Sequence, residues 1–269
     1  MRQSRIASGG SSLLLAAACA LAGPAATEAV PSTAATGYVA LGDSYSAGVG
    51  AGDYLASGAD CLRSGLAFPA LWASAHAPSS FSFTACDRAR TSDVIAHQLG
   101  PLNPRTGLVT LTAGGSDAGF SHVMETCVLQ GHDACLSAVA RARSFMDGTL
   151  PGNLDRLYAA IRRKAPAARV VVLGYPRLYR LHGTCRGGLD EAERSALNGA
   201  VDLLDSVISA RAADHEFRFA DVRGAFTGHE ICSASPWLHS VVWLDPPESY
   251  HPTAPGQSLG YLPLLTGAG

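Results

Sequence analysis

The stretch YVALGDSYSAGVGAG, residues 38–52, sets the expectations for both the fold and the chemistry of this chain. Four apolar or aromatic residues end abruptly at Gly42, and Asp43 and Ser44 follow before a glycine-rich segment. An apolar run that stops at a turn signal predicts a buried strand, with Ser44 just beyond its carboxyl end. Because a Gly-Asp-Ser triplet is by itself an ordinary turn, other features must decide whether Ser44 is a nucleophile.

The rest of the chain alternates short apolar runs with helical patterns. Further strands are predicted at Phe81–Ala85, Leu108–Thr112, Val170–Leu173 and Phe217–Asp221. Helices are predicted over Asn153–Lys164 and over Glu191–Ala213, where Asp190 and Glu193 resemble a capping pair. Strands that alternate with helices imply an α/β domain with a parallel sheet covered on both faces. Sites in such sheets lie outside the carboxyl ends of the strands, where the strand order reverses.

The N-terminus has the pattern of a secretory signal peptide. Two arginines precede an apolar stretch, Leu13–Ala22, and small residues then offer cleavage after Ala22 or after Ala29. We therefore expect residues 1–29 to be a signal peptide and the mature protein to be extracellular. The apolar stretch is too short for a spanning helix, so we expect no integral membrane segment. Because Cys19 lies within this apolar stretch, a lipoprotein signal is the alternative to a secretory signal peptide.

Composition limits the remaining chain to one domain. Residues 30–37 are small and polar and predict a flexible lead-in, and residues 38–269 are expected to form the domain. With 47% hydrophobic and 16% charged residues, the chain can bury a substantial core. The net charge of -2 gives no basic surface of the kind that nucleic-acid binding needs. We expect a monomer without a nucleic-acid partner.

Six cysteines remain after the signal peptide, and they predict disulfides. An even number in an exported chain, with no CxxC pair, favours disulfides over a metal site. Proximity along the chain favours sequential pairing: Cys61 with Cys86, Cys127 with Cys135, and Cys185 with Cys232.

Two other patterns bear on cofactors. The glycine-rich segment 48–52 lacks a dinucleotide fingerprint, because Asp53 stands where the third glycine is needed. His251 precedes a proline, and Thr253 can cap a helix starting near Pro255, so this histidine lies in a restrained loop. The nine histidines form no HExxH or HxH arrangement, which disfavours metal catalysis. We expect no cofactor and no metal.

Three motifs in this order resemble the SGNH (GDSL) hydrolase superfamily: Gly-Asp-Ser at 42–44, Gly-Gly-Ser-Asp at 114–117, and His-Pro at 251–252. The stretches LTAGGSDAGF, VLGYPR and SYHPTAPGQ are most similar to secreted actinobacterial lipases and phospholipases A1 of this superfamily. The resemblance implies a flavodoxin-like three-layer α/β/α sandwich, with a five-stranded parallel sheet of order 2-1-3-4-5 and three sequential disulfides. It also implies an esterase acting on small-molecule or lipid esters without a cofactor.

The resemblance assigns the reacting residues by matching motifs. Ser44 corresponds to the nucleophile and His251 to the base, which agrees with the need of a serine hydroxyl for a proton acceptor. The acceptor that orients the histidine stays open between the Glu248 carboxylate and the Ser249 backbone carbonyl. The sequence around His251 is most similar to relatives in which a backbone carbonyl holds the imidazole, and this similarity slightly favours Ser249.

The oxyanion donors depart from the superfamily pattern. The resemblance implies donors at Ser44, Arg88 and Ser116, but Arg88 stands where a glycine is usual and Ser116 where an asparagine is usual. Loss of one oxyanion donor costs roughly 3 to 4 kcal/mol of transition-state stabilisation. The departures keep open the alternative of a secreted lipid- or glycan-binding protein with a weakened site. An acyltransferase that uses the same serine is a further alternative.

Overall fold

A five-stranded sheet forms the centre of the part of the chain that the computed structural model describes, residues 36–57 and 59–267. The strands are β1 (Gly37–Ala40), β2 (Phe81–Phe83), β3 (Thr106–Leu111), β4 (Arg169–Leu173) and β5 (Arg218–Ala220). All neighbours pair in parallel, in the order β2-β1-β3-β4-β5. The predicted fold is therefore confirmed. The predicted signal peptide lies outside the described residues.

The second strand is shorter than its sequence pattern predicts. It ends at Phe83 because the next two amides, those of Thr84 and Ala85, both bond to the carbonyl of Ala40, which ends the regular ladder. β3, in contrast, begins two residues before the predicted Leu108. Strand ends of this kind depend on pairing partners, which a local apolar pattern does not contain.

Helices surround the sheet. They are α1 (Ser44–Ala47), α2 (Phe68–His76), α3 (Thr91–Asp93), α4 (Phe120–Gln130), α5 (His132–Gly148), α6 (Leu150–Lys164), α7 (Glu191–Asp214) and α8 (Leu262–Gly267). Wider π-helical turns, Val94–Gln98 and Gly256–Tyr261, continue α3 and precede α8, and 3₁₀ turns cover Ala59–Cys61 and Pro246–Glu248. Within the described ranges, no helix is long and apolar enough to cross a membrane.

Helices α6 and α7 follow their predicted patterns. α6 begins at Leu150, earlier than predicted, because the first turn of a helix tolerates Pro151. Its apolar stripe is buried, and burial of each large side chain stabilises the fold by about 1.5–3 kcal/mol. At α7, the Asp190 carboxylate accepts from the Glu193 amide at 2.9 Å, and the Glu193 carboxylate accepts from the Asp190 amide at 2.7 Å. The predicted cap is confirmed.

The strand order also explains how the helices divide into two layers. The crossover from β1 to β2 runs in the opposite direction to the three crossovers that follow. Because such crossovers are right-handed, α2 lies on one face of the sheet and α3–α7 on the other. α2 packs against α8, while α5 packs against α4, α6 and α7. The sheet is thus covered on both faces.

Three disulfides join neighbouring segments of this fold. The pairs are Cys61–Cys86, Cys127–Cys135 and Cys185–Cys232, the sequential pairing that proximity favours. The first ties the segment after α1 to the loop after β2, and the second joins α4 to α5. The first disulfide therefore links two of the loops at the carboxyl edge of the sheet.

Candidate active site

The loops after β1, β2 and β3 meet at the carboxyl edge of the sheet. Ser44, Arg88 and Ser116, one from each loop, line a single cleft of about 360 Å³, and His251 from the C-terminal segment joins them. The second and third loops are tied together, because the Asp117 carboxylate accepts from the amide and hydroxyl of Thr91 at 2.9 and 2.6 Å. The structure thus brings the predicted site residues together.

Gly42 allows β1 and β3 to approach closely just before Ser44. Its φ is +121°, and an added Cβ would lie 2.5 Å from the backbone oxygen of Thr112, so no other residue fits here. The Gln98 side-chain amide bonds both the N–H and the carbonyl of Gly42, at 2.7 and 2.8 Å. The turn that presents Ser44 is therefore fixed on both sides.

Ser44 begins α1, and its hydroxyl points at a histidine from the other end of the chain. The Oγ of Ser44 lies 2.7 Å from the Nε2 of His251, and both residues are buried. Asp43 caps the short helix by accepting from the amide of Tyr45 at 3.1 Å. The pair has the geometry in which a histidine can take the proton of a serine hydroxyl.

The second ring nitrogen of His251 faces the backbone, and the Glu248 side chain is engaged elsewhere. The Nδ1 of His251 lies 3.0 Å from the carbonyl oxygen of Ser249. The Glu248 carboxylate instead accepts from the hydroxyl of Tyr54 at 2.7 Å. Of the two acceptors predicted from the sequence, the Ser249 carbonyl is thus the one in contact with the imidazole.

Burial keeps His251 neutral near pH 7. Burial lowers the pKa of His251 from 6.5 to about 4, the backbone carbonyls of Ser249 and Pro247 partly oppose this, and His239 and Arg88 lower it further. A neutral imidazole that donates its Nδ1 proton to a carbonyl oxygen has an unprotonated Nε2, which can accept a proton. The ring is therefore in the state that proton transfer from Ser44 needs.

A strained residue lies between the carbonyl and the imidazole. Tyr250 has a φ of +65°, in the left-handed region that is uncommon for residues other than glycine. Its carbonyl accepts from the buried hydroxyl of Tyr45 at 2.7 Å. Because Tyr45 adjoins Ser44, this hydrogen bond links the serine loop directly to the backbone that carries His251.

A buried polar network surrounds Asp43, the residue before Ser44, and the sequence analysis predicts no role for it. The Asp43 carboxylate accepts from the hydroxyls of Thr112, at 2.6 Å, and Tyr175. Burial raises the pKa of Asp43 to about 6, although the hydrogen bonds from Thr112 and Tyr175 lower it. Tyr175 follows β4 within the stretch VLGYPR, so attention to the fourth strand end would have found it.

Arg88 has the left-handed backbone conformation that glycine adopts most readily. Its φ is +57°, and its guanidinium Nε lies 3.5 Å from the Asp87 carboxylate. A residue with a Cβ costs roughly 1–2 kcal/mol in this region relative to its usual conformation. The backbone N–H of Arg88 is therefore held in a conformation that an arginine rarely adopts.

Much of the cleft lining is apolar. Its side chains come from α4, from α7 and from the loop after β4: Phe120, Met124, Val128, Leu178, Val201 and Leu204. Such a lining binds hydrocarbon by removing apolar surface from water. The cleft thus combines the Ser44–His251 pair with an apolar lining that suits an acyl chain.

One cluster away from the cleft has the composition of a cation site. His132, Asp190 and Glu193 place one potential ligand atom each within 4.8 Å of one another. His132 Nδ1 lies 2.7 Å from the Asp190 carboxylate, and both carboxylates already bond backbone amides in the cap of α7. These contacts give the cluster a structural role at the start of that helix.

A buried serine hydrogen-bonded to a histidine, at the carboxyl edge of an α/β sheet, is an arrangement typical of serine hydrolases. The model of the GDSL-like lipase/acylhydrolase family matches residues 40–259, which include both residues, and the chain belongs to this family. It is a carboxylic ester hydrolase.

Similar proteins support this assignment over the whole chain. The chain is 59% identical, over 100% of both sequences, to Lipase 1 of Streptomyces coelicolor. It is 57% identical to the extracellular lipase of Streptomyces rimosus, with a TM-score of 0.85 over 87% of this chain and 100% of that structure. Phospholipase A1 of Streptomyces albidoflavus is 60% identical, with a TM-score of 0.86 over 88% of this chain and 100% of that structure.

Proposed function

We propose that the chain hydrolyses acyl esters through Ser44 as nucleophile and His251 as general base. The observation that supports this most directly is the 2.7 Å contact between Ser44 Oγ and His251 Nε2. A serine hydroxyl becomes a useful nucleophile when a neighbouring base takes its proton in the transition state. The low pKa of His251 keeps that base unprotonated at neutral pH.

In this mechanism Ser44 Oγ attacks the ester carbonyl carbon while its proton passes to His251 Nε2. The tetrahedral intermediate collapses, the alcohol leaves with that proton, and the acyl group remains on Ser44. A water molecule then gives a proton to His251 and attacks the acyl-enzyme, and His251 returns that proton to Ser44 Oγ as the acid is released. The Ser249 carbonyl, 3.0 Å from Nδ1, stabilises the positive charge that the imidazole gains.

The oxyanion is stabilised by the backbone N–H groups of Ser44 and Arg88 and by the Ser116 hydroxyl. The left-handed backbone at Arg88, with a φ of +57°, supports this role because glycine, the usual residue here in the superfamily, adopts that region readily. Donors aimed at the developing negative charge are worth several kcal/mol in a water-poor site.

The substrates are esters of fatty acids, and the enzyme acts outside the cell as a monomer. The apolar lining of the cleft supports a hydrocarbon chain on the acyl side. Export is supported by the signal-peptide pattern of residues 1–29 and by the extracellular lipase from Streptomyces rimosus. N-terminal sequencing of the protein from culture medium tests export, with a start at residue 23 or 30 expected. A start at residue 1 would contradict it.

Substitution of the two residues tests the mechanism. Ser44→Ala and His251→Ala should each abolish hydrolysis of a p-nitrophenyl ester, and a fluorophosphonate probe should label Ser44. Ser121→Ala is a matched control, because Ser121 is exposed and lines the same cleft. Full activity in either of the first two variants, or labelling that survives Ser44→Ala, would contradict the assignment.

A further inference from the structure

Three large apolar side chains are exposed, two of them in the lining of the cleft and the third next to one of these in the chain. Leu244 is 100% exposed, Trp243 70% and Leu129 62%. Trp243 and Leu129 line the same cleft as Ser44, although one lies between β5 and His251 and the other at the end of α4. Clustered apolar exposure of this kind marks an interaction surface. We call these three residues the docking rim.

The loop that carries Trp243 and Leu244 is held in its exposed position. The Val242 amide donates to the Ser249 hydroxyl at 2.9 Å, and the Asp245 amide donates to the Val242 carbonyl at 3.2 Å. Two prolines follow in the 3₁₀ turn Pro246–Glu248, and each fixes its own φ. Because the exposed tip is already ordered, its burial against a partner needs little further loss of chain entropy.

The charges near the rim indicate which surface it fits. Among the described residues that line the cleft, Arg88 is the only lysine or arginine, and it pairs with Asp87 at 3.5 Å. Glu125 lines the same cleft and is exposed, and the exposed Asp245 adjoins Leu244. Anionic lipid attracts clusters of basic residues, so this acidic surround disfavours it. A zwitterionic or uncharged lipid surface suits the rim.

We propose that Trp243, Leu244 and Leu129 dock the enzyme onto the surface of zwitterionic lipid aggregates. Tryptophan and leucine at a membrane surface insert into the boundary between head groups and acyl chains. Since Trp243 and Leu129 also line the cleft, docking places its mouth against the lipid. A lipid ester then enters with its acyl chain passing from one apolar environment to another.

Binding to vesicles tests docking separately from hydrolysis. The protein carries Ser44→Ala, so that the lipid stays intact, and phosphatidylcholine vesicles are titrated with flotation and tryptophan emission as readouts. We expect binding with a blue shift, and a loss of affinity of roughly 10-fold or more in Leu244→Asp or Leu244→Ser. Leu259→Asp is the matched control, because Leu259 is 56% exposed in the π-helical turn Gly256–Tyr261 and is not among the residues that line the cleft.

Each result decides the proposal. Unchanged affinity in the Leu244 variants with circular dichroism intact, an equal loss in the control, or no binding would overturn it. Binding that requires phosphatidylglycerol would overturn the choice of a zwitterionic surface. A concentration-dependent dimer by sedimentation, abolished by Leu244→Asp, would assign the rim to a second copy of the chain. These readouts measure binding and association rather than turnover; only the use of Ser44→Ala to keep the lipid intact rests on the proposed function.

Discussion

Protonation of His251 is expected to make the fold less stable in mild acid. The pKa of His251 is about 4 in the folded protein and 6.5 when the side chain is solvated. Because the folded-state pKa is depressed, the neutral folded form is fully favoured above pH 6.5, and that advantage is lost as the pH falls toward 4. Between pH 7.5 and pH 5 the loss amounts to about 2 kcal/mol of unfolding free energy.

Urea unfolding of the wild type and of His251→Gln at these two pH values measures the effect. The wild type should lose about 2 kcal/mol more than the variant, because glutamine does not titrate. Other titrating groups, including Asp43 with its raised pKa of about 6, are common to both proteins and cancel in the difference. In parallel, the acid limb of kcat/KM should lie near pH 4 rather than near 6.5.

Two results would refute this reasoning. Equal losses of stability in the two proteins would mean that His251 titrates alike in the folded and unfolded states. An acid limb near pH 6.5 would mean that burial does not lower the pKa of His251. A limb near pH 6 that Asp43→Asn removes would belong to Asp43 instead, since its pKa is about 6.

Three further substitutions examine the groups around the Ser44–His251 pair. Tyr45→Phe should lower kcat with little change in KM, and it should lower the unfolding free energy by about 1–3 kcal/mol, because the buried Tyr250 carbonyl loses its hydrogen-bond donor. A change in KM alone in steady-state kinetics would contradict this. Glu248→Gln should keep most of the esterase activity, because the Ser249 carbonyl contacts the imidazole; a fall as deep as that of His251→Ala would make Glu248 the orienting acid. Ser116→Asn should raise kcat on the order of 10-fold, because an amide donates from farther out than a hydroxyl; a neutral result, with Ser116→Ala strongly impaired, would show that serine is already an effective donor.

Most of the fold was predictable because its signals are local or ordered along the chain. The strand at β1 and the helix α7, with its cap at Asp190, follow from apolar periodicity and end signals. The strand order came from the resemblance, since no local pattern encodes which strands pair. Ser44 and His251 were likewise named from motifs, and the structure brings them into contact.

The parts of the site that escaped prediction depend on contacts distant in sequence. The partner of Glu248 is Tyr54, 194 residues away, and that contact turns the carboxylate from the histidine. Tyr175 contacts Asp43 across 132 residues; its place after β4 puts it at the carboxyl edge of the sheet, but no local pattern identifies its partner. The left-handed backbone at Arg88 was also hidden, because an arginine gives no sign of such a conformation.

The separation of 207 residues between Ser44 and His251 has a consequence for the order of folding. The final segment is secured to the first loop by Gln257, whose side chain bonds the carbonyl of Tyr45 at 3.1 Å and the amide of Phe68 at 2.9 Å. Contacts of such long range cost the most loop-closure entropy and tend to slow folding. In a refolding experiment, the return of esterase activity therefore reports when the two distant parts of the chain come together. The helical circular dichroism signal reports earlier, local folding events.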